Sequence, residues 1–148
     1  MKNLDSIDLA IIDELQRDGR LPVTELAQRV NLTKTPCQMR LQKLENQGYI
    51  LGYAARINHD RLNKGHIAFV QVTLNDTKSK ALQAFNTAVQ QISEIEQCHM
   101  IAGSFDYLLK IRTADMASYR RVLGEELSAL PHVTQTSTFV SMESVKEC

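Results

Sequence analysis

The residues from Thr33 to Gln47 carry the side chains best suited to chemistry with a nucleic acid. Lys34, Thr35, Gln38, Arg40, Gln42 and Lys43 recur there, opposed by Glu45 alone. Arginine and glutamine pair through two hydrogen bonds with guanine and adenine edges in the major groove. Thr33, Lys34 and Thr35, at the start of a helix, suit phosphate contacts helped by the helix dipole. A solvated amphipathic helix would carry the same lysines and glutamines, so the segment has to be judged by the elements around it.

A second segment, Cys98 to Lys110, places Gly103, Ser104 and Asp106 between two apolar stretches. At the lip of a sheet, Asp106 suits a ligand ammonium, and backbone N–H groups near Gly103 suit its carboxylate. The same residues also make an ordinary β-turn, and on composition both readings stand. His99 lies in an apolar stretch with no second ligand-type residue at strand spacing, which fits a structural or pocket-lining histidine. His59, His66 and His132 have no serine, cysteine or paired carboxylates at catalytic spacing. Cys37, Cys98 and Cys148 form no CxxC pair and have no nearby histidine at metal-ligand spacing, so they are expected to be small apolar fillers or stray thiols. No phosphate-cradling glycine loop occurs. Catalytic residues, a metal site and a cofactor are therefore not expected.

The elements that must position these residues can be read from spacing. Ile7, Ile11, Ile12 and Leu15 recur at helical intervals after a capping Asp5 or Ser6, and Gly19 breaks the pattern. Pro22 stands where a second helix should begin, with Leu26, Ala27 and Val30 as its buried stripe. Asn31 tolerates the left-handed backbone of a tight turn, and Thr33 can cap a third helix with Pro36 in its first turn. Two helices joined by so short a turn make a helix-turn-helix. Gly48 ends the third helix, and residues 49–57 predict a small hairpin or wing pivoting near Gly52.

Residues 1–57 are thus expected to form one domain, 58–65 a polar linker, and 66–148 a second domain. In the latter, strands are predicted at 67–74, 95–102, 107–113 and 133–142. One helix between them bears Leu82, Phe85, Val89 and Ile92; another bears Met116, Tyr119, Val122, Leu123 and Leu127. Strand-helix-strand twice over is a ferredoxin-like split βαβ in an α+β chain. Its helices cover one face of the sheet, so the other face, rich in Ile, Val and Phe, predicts at least a homodimer.

Composition limits the partners. The 148 residues have no net charge, but residues 29–64 hold seven bases against Glu45 and Asp60, a local excess of +5. That is a local footprint for an anionic polymer. No run approaches the roughly 18 apolar residues needed to cross a bilayer, and Met1 to Asp5 does not open a signal peptide. A cytoplasmic location without membrane association is expected.

Several motifs together resemble the Lrp/AsnC family of feast/famine transcriptional regulators, nearest its leucine-responsive branch. They are Leu4-Asp5…Asp8, Leu15-Gln16-Arg17-Asp18-Gly19-Arg20, Glu25-Leu26-Ala27, Thr35-Pro36-Cys37, Leu44-Glu45…Gln47-Gly48-Tyr49-Ile50, Cys98-His99, Gly103 to Lys110, Asp115-Met116 and Val140 to Glu143. The resemblance implies a winged helix-turn-helix joined to a βαββαβ effector domain. It implies double-stranded DNA as partner, dimers assembling further, often to octamers, and a small-molecule effector, usually an amino acid, in a crevice between dimers. By the same resemblance Gly103, Asp106 and Tyr107 line that crevice, with His99, Met116, Phe139 and Val140 beside it. Thr33-Lys34 replaces the family's Ser-Pro and adds a base, and Ser128 replaces a larger apolar residue of the leucine pocket. Siroheme decarboxylases, enzymes of similar paired architecture, are the alternative, but they have no need of the basic, Gln-rich third helix. A sensor without DNA binding is a further alternative, which the +5 segment opposes.

Overall fold

A computed structural model describes residues 4–147 of the chain, so Cys148 lies outside them. The chain parts between Ile57 and Asn58 into two compact units.

In the N-terminal unit, α1 (Ser6–Arg17) starts at a capping box. Asp5 Oδ1 accepts from the Asp8 and Ile7 N–H groups at 2.8 and 3.0 Å, while Asp8 accepts from Asp5 N–H. Pro22 takes the N-cap position of α2 (Val23–Arg29), where its fixed φ and missing N–H cost nothing. Asn31 then turns the chain with a left-handed φ of 55°. Thr33 is the N-cap of α3 (Lys34–Asn46), but its side chain makes no capping hydrogen bond. Gly48, at φ 74°, closes α3: Tyr49 N–H reaches the Leu44 carbonyl and Gly48 N–H that of Glu45. This paired closure needs a residue free of the Cβ penalty. Ile11, Leu26, Cys37 and Leu44 make the small core, and burial pushes the Cys37 thiol pKa up.

Residues 49–57 form no strand, in contrast to the predicted hairpin. Leu51 is 95% exposed and has no facing strand to pair with. The segment is pinned instead by Tyr53, whose hydroxyl donates to Glu45 at 2.9 Å and whose ring lies against Gly19.

The C-terminal unit opens with a short 3₁₀ turn (Asp60–Leu62) and runs β1 (His66–Leu74), α4 (Ser79–Val89), β2 (Ile95–Met100), β3 (Tyr107–Thr113), α5 (Met116–Glu125) and β4 (Val133–Val140). The sheet order β2-β3-β1-β4, antiparallel throughout, is the ferredoxin-like arrangement. Ala68, Val70 and Val72 of β1 and Tyr107, Leu109 and Ile111 of β3 alternate onto one face. They pack there with Phe85 of α4 and with Tyr119 and Val122 of α5. Ile92 falls beyond α4, and Leu127 lies in a 3₁₀ turn after α5, yet both are buried in this core. Cys98 packs against it from β2. The other face carries Phe69, Phe139 and a band of ionic and polar side chains.

Candidate functional site

The polar face of α3 is set by its buried one. Cys37 and Leu44 face the core with Leu41 half-buried, which leaves Lys34, Thr35, Gln38, Met39, Gln42 and Lys43 exposed along the opposite side. Thr33 is exposed just ahead of them. Met39, 68% exposed, lies in the middle of the row and was not anticipated. An apolar side chain there can meet a thymine methyl.

Arg40 is held by acids of its own unit. Its Nη1 contacts Asp5 Oδ2 at 2.6 Å and Asp8 Oδ1 at 2.7 Å, and the Asp8 carboxylate is itself buried. Lys43 Nζ adds a longer contact to Asp8 at 3.7 Å. The guanidinium therefore spans from α3 to the start of α1, with the side chain 30% exposed. The Asp8 N–H that Asp5 accepts, and then Arg40, hold the Asp5 carboxyl below its usual pKa. Sequence reading missed this clamp because its partners lie more than 30 positions away. Arg29 is also spoken for, by Glu14 and Glu25. Among the described residues Lys34 has no ion pair, which leaves it free for a phosphate.

In the C-terminal unit the seven candidate effector residues fall into two groups. His99 pairs with Leu108 on β3, and Gly103 sits exposed in the turn after β2. Asp106 locks that turn to β1. Its Oδ2 accepts from Leu74 N–H at 2.7 Å, its N–H donates to the Val72 carbonyl, and its carbonyl accepts from Ile101 N–H. The second carboxylate oxygen makes no hydrogen bond among the described residues. Tyr107 turns away from the lip into the core, its ring 4.3 Å from that of Phe85, so it can offer a ligand only its backbone. The second group is Met116 at the start of α5 with Phe139 and Val140 at the end of β4, all exposed.

The register keeps the groups apart. Val72 pairs with Tyr107, and Ala68 pairs with Val140. Four residues of strand separate them, about 13 Å at the usual rise. Within one chain these residues do not line one pocket. Ser128, which stands where the family has a larger apolar residue, hydrogen-bonds back to the Gly124 carbonyl at 2.5 Å.

A further cluster was not anticipated. On the open face of the sheet Arg112, 7% exposed, contacts Glu96 at 2.5 Å and Glu147 at 2.9 Å, and Lys110 reaches both acids. The alternation of Lys110 and Arg112 along β3 was its only sequence signal. Among the described residues no group of His, Cys, Asp or Glu is placed to hold a metal ion, and no helix is long and apolar enough to cross a membrane.

Comparison with known proteins agrees with this layout. The AsnC-type helix-turn-helix domain matches residues 4–45, and the Lrp/AsnC ligand binding domain matches 67–148. A proline dehydrogenase transcriptional activator of Rhizobium radiobacter is 59% identical, over 98% of this chain and 93% of its own. The leucine-responsive regulatory protein of Escherichia coli (strain K12) is 49% identical, over 99% of this chain and 89% of its own. The crystal structure of a Neisseria meningitidis transcriptional regulator in complex with L-Met superimposes with a TM-score of 0.91 at 31% identity, covering 98% of this chain and 94% of that one. These relatives are regulators, so the decarboxylase alternative finds no support. A helix-turn-helix with an exposed polar reading face, followed by a ligand-binding βαββαβ sheet, marks a chain that belongs to the Lrp/AsnC family of transcriptional regulators.

Proposed function

We propose that this chain is a cytoplasmic regulator that binds double-stranded DNA through α3 and senses an amino acid in a crevice between dimers of itself. Lys34, Thr33 and Thr35 contact phosphates, and Gln38, Met39 and Gln42 read base edges. The effector's ammonium meets the free oxygen of Asp106, and its carboxylate meets N–H groups near Gly103. Residues 1–57 form the reading domain, 58–65 the linker and 66–148 the sensing domain.

The separation of the two candidate effector groups carries this reading. Gly103 and Asp106 sit at one end of the sheet, and Met116, Phe139 and Val140 at the other. One copy can supply the turn and another the apolar wall, so the site is complete only in an assembly. Phe69 and Phe139, paired in register on the uncovered face and both exposed, suit sheet-on-sheet dimers, which then build the higher oligomer, an octamer by analogy with the family. A ligand bound between dimers acts by favouring one assembly over another.

Calorimetric titration with L-leucine, L-methionine and L-proline tests this, alongside sedimentation with and without each. Asp106→Asn keeps an oxygen for Leu74 N–H and removes the charge. Affinity is expected to fall by about ten- to a hundredfold, the worth of a charge-assisted hydrogen bond of roughly 1.5–3 kcal/mol. Unchanged affinity removes Asp106 from the site. Ligand that binds without changing the oligomer or the DNA affinity overturns the switch.

A further inference from the structure

A cavity of about 320 Å³ lies at the end of the sheet away from the Gly103 turn, between residues 59–64, the start of β2, the end of β3 and α5. It stands at the small end of the range of small-molecule sites, roughly 300–1,000 Å³. Its cations come from three separate elements: Lys64 before β1, Arg112 on β3 and Arg121 on α5. Its acids are Glu94 and Glu96.

Most of Arg112 is already committed to Glu96 and Glu147, and Glu96 to Arg112 and Lys110. Among the described residues Lys64 and Arg121 have no side-chain partner, and Glu94 has only the Ser93 hydroxyl. His59 adds a buried Nδ1 with no hydrogen-bond partner, its Nε2 being 4.0 Å from Glu96. Three cations against two acids leave the lining one positive charge in excess.

We propose that this cavity binds an acidic amino acid, a zwitterion with one further carboxylate. Its two carboxylates meet Lys64 and Arg121, its ammonium meets Glu94, and its net negative charge balances the lining. The site is distinct from the crevice of the proposed function and is contained in one chain. Because His59 and Lys64 stand at the start of this unit, just after Ile57, a bound ligand orders the segment by which the chain enters it.

Equilibrium dialysis of the full chain with radiolabelled L-glutamate tests the site, with L-aspartate, L-glutamine and 2-oxoglutarate as competitors. Saturable binding approaching one L-glutamate per chain is expected, and L-aspartate competes. L-Glutamine and 2-oxoglutarate, which lack the second carboxylate and the ammonium respectively, are at least tenfold weaker. Arg121→Gln and Lys64→Gln each weaken L-glutamate about tenfold or more, the worth of one charge-assisted contact. Lys80→Gln, which removes a charge from α4, leaves binding unchanged. Hydrogen exchange of residues 58–65 slows with L-glutamate present. Absent binding, or wild-type binding in both the Arg121 and Lys64 variants, overturns the proposal. Complete displacement by L-leucine, L-methionine or L-proline also overturns it, because the two sites would then be one while the crevice reading survives. Saturable L-glutamate binding lost in those variants, in a protein that binds none of those three amino acids, upholds the cavity and removes the crevice.

Discussion

Arg40 in the reading unit and Arg112 in the sensing unit are each held by two carboxylates, yet they serve different ends. Arg40 lies across the seam between α3 and the start of α1, so it fixes the angle at which α3 presents Gln38, Met39 and Gln42. The DNA contacts proposed for that unit all come from α3 and its N-cap Thr33, in one chain. Arg112 lies in the sheet and joins β3 to β2 and to Glu147, but the candidate effector residues around that sheet remain in two groups. The difference separates a site built by helical periodicity from one built by assembly. On the reading proposed above, the first is finished when the chain folds, and the second waits for another copy.

The largest effect should come from attacking the unfinished side. Phe139→Glu places a carboxylate opposite Phe69 on the uncovered face. In an apolar sheet-on-sheet interface it costs at least about 3 kcal/mol, or a hundredfold or more in dissociation constant. Sedimentation of the full chain should show the variant shifted to monomers at concentrations where wild type is assembled. Thermal unfolding should show it still folded, because the core lies on the other face. A Phe139→Glu protein that sediments as wild type moves the interface elsewhere and removes the ground for a site shared between copies.

Next in size is the contrast within α3. Arg40→Ala leaves the buried Asp8 carboxylate without its nearest cation, so the melting temperature falls and all DNA sequences are bound more weakly alike. Gln42→Ala leaves the clamp intact. If Gln42 reads a base edge, it loses about 1–3 kcal/mol of discrimination at one base pair. Competition gel shifts with singly substituted operators separate the two. An Arg40→Ala protein that melts as wild type and relaxes at one base pair would restore Arg40 as a reader.

Most of the fold was legible in the sequence, because local periodicity dictates it. The capping Asp5, the left-handed Asn31, the closing Gly48 and the alternation along β1 and β3 all act over a few residues. Two local expectations failed for physical reasons. Thr33 has the extended backbone of an N-cap but no side-chain bond, and residues 49–57 have two apolar runs with no facing strand. The site was less legible. The pairing of Arg40 with Asp5 and Asp8, and of Arg112 with Glu96 and Glu147, depends on tertiary contact that no spacing encodes. Asp106 was anticipated as a ligand group, and its hold on Leu74 N–H emerges only with the register of β1 against β3.

The smallest effect concerns acid, and it bears on the Arg112 cluster. Burial alone would raise the Glu96 pKa, but Arg112 and Lys110 outweigh it and hold the carboxyl below its ordinary 4.5. Lys110 and Arg112 lower Glu147 likewise. A carboxyl whose folded pKa lies below its unfolded value stabilises the fold above the unfolded value and loses that contribution as pH falls through the folded one. The sensing unit should therefore melt at a nearly constant temperature from neutral pH down to about 5, then less stably as pH drops below 4.5. Glu96→Gln should cost about 1–2 kcal/mol at neutral pH, since the buried Arg112 then loses one of its two charged acceptors. It should also flatten the acid limb, because one of the titrating groups is gone. Arg40 and its aspartates provide the internal control: Asp5 is lowered too, so the reading unit should weaken in acid in both proteins alike. An acid limb of undiminished slope in the Glu96→Gln protein would mean that Arg112 draws its support from Glu147 alone, and that β2 contributes nothing to holding it.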